Sequence, residues 1–141
     1  MTATPPYRHF EHTADLGLEI FGATVEELFV NASRALFDTI AVAAGRTGRQ
    51  QSDISVSGAD LPDLLVNWLR ELLALWTVNG RLMAAVEILF LTETELRARL
   101  HWDTFDPDHH LLGTEIKAVT YHGLIVEKTD RGWRGRVVLD V

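Results

Sequence analysis

The 141-residue chain carries 20 acidic and 13 basic residues, a formal charge of −7, and no cysteine. The missing cysteines exclude disulfides, thiolate metal sites and cysteine nucleophiles, and the acidic balance disfavours a protein that grips nucleic acid by neutralising many phosphates, so no strong direct nucleic-acid binding is expected. A hydrophobic fraction of 47% is enough for one domain with a core, expected to span residues 1–141; neither a leader-like start nor an apolar run of the roughly 20 residues that cross a membrane is seen, so a cytoplasmic location without a membrane partner is expected.

In chain order, the stretch around FEHTADLGLE alternates apolar even positions (Phe10, Leu16, Leu18, Ile20) with polar or small odd ones, the period of a half-buried strand. Asp15 fits that pattern badly. Thr13-Ala14-Asp15 reads equally as a bend splitting the stretch into two strands, with the aspartate as turn chemistry or as a ligand. From Thr24 the period turns helical. Thr24 and Glu27 make a capping box, and Val25, Leu28, Phe29, Ala32, Leu36 and Ile40 recur at spacings of three and four, predicting an amphipathic helix that ends near Gly45. Residues 52–58 alternate as a short strand. Asp60 is the expected N-cap of a second helix, with Leu64, Leu65, Trp68, Leu69, Leu72 and Leu73 on a broad apolar face that stops at Asn79-Gly80.

Residues 82–92 and 95–102 predict a hairpin, with Leu96, Ala98, Leu100 and Trp102 facing in and Arg97, Arg99 and His101 facing out. The Pro, Gly and Asp density of residues 104–114 predicts a long loop, and two last strands follow over 115–128 and 132–141. Helices and strands that do not alternate regularly imply an α+β fold in two layers, two main helices packed on a mainly antiparallel or mixed sheet.

The chemistry must come from carboxylates, histidines, lysines or hydroxyls. Asp140 stands one residue from the end of RVVLDV, where an aspartate beside a terminal carboxylate concentrates negative charge that a divalent cation would relieve. If the last strand pairs beside the first, Asp15, Asp140 and the Val141 carboxylate form a hard-oxygen site suited to calcium, magnesium or manganese. Lys117, in EIKAVTYHG, lies in a strand that reads as well buried, either snorkelling from the sheet or held as a phosphate or carboxylate contact. Thr120 and His122 follow it closely. The six histidines show no metal-ligand spacing of the HExxH kind, no serine sits in a Gly-x-Ser-x-Gly elbow, and GRTG lacks the Lys-Ser/Thr of a phosphate loop, which disfavours a conventional nucleotide-binding enzyme.

EHTADLGLEIFG, TVEELFVNASRALF, LLVNWLRELL, EIKAVTYHGL and the ending RGWRGRVVLDV together resemble the archease family in order and spacing. The resemblance covers nearly the whole chain. It implies a non-catalytic protein cofactor of the GTP-dependent tRNA-splicing RNA ligase, which joins a 2′,3′-cyclic or 3′-phosphate end to a 5′-hydroxyl end. Its role would be to promote metal-dependent guanylylation of the ligase and multiple turnover in tRNA splicing or RNA repair. It further implies a divalent ion held by Asp15 and Asp140 with an oxygen from Val141, and Lys117 in the same cluster. His12, Thr13, Thr120 and His122 are candidates to orient those groups without binding the ion. The alternative from another class is a chaperone-like modulator of a tRNA-modifying enzyme such as a tRNA methyltransferase. The connector 44–52 and the loop 105–113 match no motif.

Overall fold

The computed structural model describes residues 4–12 and 15–141. Its elements are β1 (Tyr7–His12), β2 (Asp15–Gly22), α1 (Val25–Ile40), β3 (Gln50–Ser57), α2 (Leu61–Asn79), β4 (Arg81–Leu91), β5 (Glu95–Thr104), β6 (Ala118–Thr129) and β7 (Gly132–Asp140). The α+β class holds, but the strands form two sheets where one was expected. A four-stranded sheet has the order β1-β2-β7-β6, a three-stranded sheet the order β3-β5-β4, and all pairings are antiparallel.

The stretch is two strands, with Asp15 opening the second. β1 and β2 pair antiparallel, and the pairing reverses the faces: Phe10 lies opposite Gly17, while Tyr7 and His9 lie opposite Ile20 and Leu18. Read as one strand, Phe10 would share a face with Leu18; across the strand pair it takes the opposite one. Tyr7 and His9 instead face α1. The Tyr7 hydroxyl donates to Asp38 Oδ2 at 2.7 Å, and His9 Nε2 is 3.1 Å from Thr39 Oγ1. Partial burial and the Asp38 carboxylate push the Tyr7 phenol up to about 12. Arg46 closes the same cluster with an ion pair to Asp38.

Both helices start where their caps predict. The Thr24 hydroxyl accepts from Glu27 N–H at 3.1 Å and the Asp60 carboxylate from Asp63 N–H at 2.9 Å. Gly80 ends α2 in the left-handed region at φ 65°. α1 ends at Ile40, five residues before the expected Gly45. Tertiary pairing stops it: Ala41 bridges Leu112, and the N–H groups of Gly113 and Thr114 take the carbonyls of Ile40 and Thr39. The last strand pair also differs from expectation, since β6 begins at Ala118 and leaves residues 115–117 as an extended approach to it.

One hydrophobic cluster joins both sheets to both helices. Fully buried Leu18 and Ile20 of β2, Val137 and Leu139 of β7, and Leu96, Ala98 and Leu100 of β5 are the inward positions that alternation predicted. Trp68 is fully buried between the helices, and its indole N–H donates to the Phe29 carbonyl at 3.0 Å, so the largest core side chain leaves no polar atom unmet. Among the described residues no helix is long and apolar enough to cross a membrane.

Candidate metal centre at the end of the four-stranded sheet

The antiparallel register decides the site. β2 pairs with β7 so that Asp15 lies directly opposite Asp140, His12 of β1 lies opposite Asp15, and Ala118 of β6 lies opposite Asp140. His12, Asp15, Asp140 and Ala118 therefore form one row across all four strands at the end of the sheet. Directly opposed residues hold their Cβ atoms about 4.5–5.5 Å apart, a spacing at which like charges repel. Val141 follows Asp140 beside the row. Among the described residues no hydrogen bond or ion pair reaches the Asp140 side chain, which is half-buried. Two carboxylates of the same sign, at the spacing of one strand pair, offer the hard oxygen donors that a divalent cation prefers. The described residues contain no group of three His, Cys, Asp or Glu side chains arranged to hold a metal.

Lys117 joins the row through its backbone. Its N–H donates to the Asp140 carbonyl at 2.7 Å, extending the β6–β7 ladder by one residue, and its side chain is exposed instead of buried in a strand. Lys117 was expected within a strand over 115–128; it stands just before β6, which begins at Ala118. The other sequence candidates separate. Thr120 lies opposite Val138, one same-face step from Asp140, and its hydroxyl donates to the Val138 carbonyl at 2.9 Å, which fixes the strand pair next to the row. His122 sits where the β6–β7 register shifts between Thr120 and Ile125, and its N–H reaches Thr120 Oγ1 at 3.3 Å. Thr13 lies outside the described residues.

Beside the row the sheet carries a platform that sequence reading missed. Phe10 covers Gly17 so closely that a Cβ there would stand 2.1 Å from the ring, and the Arg136 guanidinium lies over the other part of the stack, 4.4 Å from the ring centroid. Gly17 is thus required by close approach and not by a turn. The available signal was a lone glycine in an alternating strand, which marks a point where something packs against the backbone.

The connector 44–52, which matched no motif, holds a different kind of carboxylate. Asp103 of β5 is buried and accepts from the backbone N–H groups of Thr47, Gly48 and Arg49 at 2.6, 2.9 and 3.1 Å, and from the Thr47 hydroxyl at 3.1 Å. Burial alone would raise this carboxyl, but the converging donors hold it below the usual carboxylate value.

Compared with known proteins, residues 7–141 match the model of the Archease protein family (MTH1598/TM1083). The chain belongs to the archease family. It is 37% identical over 139 residues to the protein archease of Methanosarcina mazei, covering 96% of this chain and 95% of that one, and 35% identical over 139 residues to the protein archease of Methanopyrus kandleri, covering 96% and 99%. The solution structure of Methanobacterium thermoautotrophicum protein 1598 superposes with a TM-score of 0.79 at 26% identity, covering 96% of this chain and 99% of that chain. The crystal structure of an archease of Thermotoga maritima, described there as a possible chaperone, has the same fold, with a TM-score of 0.62 at 23% identity over 100% and 98% of the two chains.

Proposed function

We propose that this archease is a non-catalytic activator of the GTP-dependent tRNA-splicing RNA ligase, promoting its metal-dependent guanylylation and multiple turnover, and that Asp15, Asp140 and the Val141 carboxylate hold the divalent ion involved. The observation that carries the reading is the register that sets Asp15 opposite Asp140 at the chain end. Opposed carboxylates are an unfavourable arrangement for a sheet to keep unless something of positive charge is meant to sit between them. A calcium, magnesium or manganese ion there would bring positive charge to phosphate oxygens of a nucleotide held by the partner. The chain's own residues fix the place. β2 and β7 present the two carboxylates from the middle of the sheet, Lys117 locks the Asp140 carbonyl, and Thr120 ties β6 to β7 next to it. Exposed Lys117 is placed to meet a phosphate or to hold a carboxylate.

The net charge of −7 supports a basic protein partner, whose encounter it would accelerate, over direct binding of RNA. The test is single-turnover guanylylation of the ligase with and without this protein over a range of divalent ion concentrations. Acceleration that disappears in folded Asp15→Ala and Asp140→Ala is expected; no acceleration at any ion concentration refutes the role. A chaperone-like modulator of a tRNA methyltransferase would instead act equally well in chelator.

A further inference from the structure

Val42, Leu111 and Leu112 form an apolar ledge that the fold presents on purpose-built backbone. Their exposures are 44%, 68% and 46%, high for three large apolar side chains brought together. The segment is not a loose loop tip. Val42 N–H donates to the Leu111 carbonyl at 2.9 Å, Ala41 bridges Leu112, and Gly113 and Thr114 N–H bond to the Ile40 and Thr39 carbonyls at 2.7 and 2.8 Å. On the other flank His110 accepts the Asp106 N–H on Nδ1 at 2.9 Å and so turns its Nε2–H to the Gly45 carbonyl at 3.0 Å. These bonds take up the last carbonyls of α1, but they do not require large apolar side chains at the exposed positions 42, 111 and 112.

The ledge lies at the carboxylate end of the molecule. β2 runs away from Asp15 and α1 returns along it: Asn31 Nδ2 donates to the Phe21 carbonyl at 2.6 Å, and Thr39 Oγ1 lies 3.1 Å from His9, which is opposite Leu18, so the C-terminal end of α1, where the ledge begins, is level with Leu18, about 10 Å along the strand from Asp15. The same extended segment continues from Leu112 to Lys117, whose N–H meets Asp140. Five residues reach at most about 18 Å. A standard protein interface covers about 800 Å² of each partner, a disc about 32 Å across, wide enough for one partner to reach both features. The charges around the ledge point to a basic one: Asp106, Asp108, Glu115 and Asp140 are acidic, against Lys117 and Arg46, and Arg46, whose Nε donates to the Val42 carbonyl at 3.4 Å, is already paired with Asp38.

Resting on the activator reading above, we infer that the Val42–Leu111–Leu112 ledge is the apolar anchor by which this chain seats on the ligase, against an apolar spot rimmed by Lys and Arg. The ledge supplies affinity and the carboxylate row supplies the effect. The test measures, with the full chain and purified ligase at saturating divalent ion, the concentration of this protein that gives half of the maximal guanylylation rate. Leu111→Asp and the milder Leu111→Ala, with an unchanged circular dichroism spectrum and unchanged divalent affinity, are expected to raise that concentration about tenfold and severalfold, with the plateau rate retained. Val78→Asp, at a 78% exposed apolar position on α2, is expected to leave it unchanged. A half-saturating concentration within twofold of wild type for both Leu111 variants, or an equal rise for Val78→Asp, overturns the ledge while leaving the activator role standing. Wild-type protein that fails to stimulate the ligase overturns both.

Discussion

Each sheet of this protein places a carboxylate at a strand end, and the two are treated in opposite ways. Asp103, at the end of β5, is buried and meets three backbone N–H groups and a hydroxyl, all from the 44–52 connector that it thereby folds around itself. Asp140, at the end of β7, is half-buried, its side chain meets no donor among the described residues, and it lies opposite Asp15. The first arrangement satisfies a charge and organises a loop. The second sets two carboxylates opposite each other, the arrangement from which the proposed ion site is argued. Under that proposal a carboxylate's role follows from its surroundings: converging donors go with structure, and an opposed carboxylate with a ligand.

The strongest test of that contrast is Asp103→Asn. Exchanging an acceptor oxygen for an amide NH₂ faces a donor against donors, and unfolding in denaturant is expected to show a loss of about 3 kcal/mol with divalent binding unchanged. Because the Asp103 carboxyl is held below its ordinary value in the folded state, its contribution is present above about pH 4 and is lost as the pH falls through the lower folded value; the Asn variant should therefore lose less stability than wild type on acidification below pH 4. Next in size, Asp140→Ala is expected to weaken divalent binding by at least about tenfold in calorimetry. Equal divalent affinity in that variant would remove the distinction between the two sites.

Tyr7→Phe provides an intermediate case, a hydrogen bond to a carboxylate that is neither fully buried nor a metal ligand. It should cost about 1 kcal/mol. The phenol is raised to about 12 from 10.0, so the stability linked to it is complete below pH 10 and is lost between about pH 10 and 12; ultraviolet titration of the wild type should show a tyrosinate step near pH 12 that is missing from the variant. The smallest effect runs the other way. In chelator, Asp15→Asn should stabilise the protein by about 0.5 kcal/mol through relief of the opposed charges, and added divalent ion should reverse the order of wild type and variant. A destabilised Asp15→Asn in chelator would place Asp15 with Asp103, as a structural residue.

Much of the fold was legible locally. Thr24-x-x-Glu27 and Asp60 opened their helices, Gly80 closed α2, and alternation placed Leu96, Ala98 and Leu100 inward, because caps and periodicities are set by neighbours three or four residues away. The misreadings have one physical origin. The premature stop of α1 at Ile40, the reversal of Phe10 to the outer face, the start of β6 after Lys117 and the division into two sheets all follow from contacts between residues far apart in sequence. The candidate site divides in the same way. Sequence by itself determined that Asp15 was a poor strand residue, that Asp140 stood at the end of the last strand, and that no cysteine, histidine motif or phosphate loop offered other chemistry. Only the tertiary structure decided that the two aspartates are neighbours, and that the ledge of Val42, Leu111 and Leu112 shares their end of the molecule, because strand register and helix return are fixed by burying the whole core and not by any local preference.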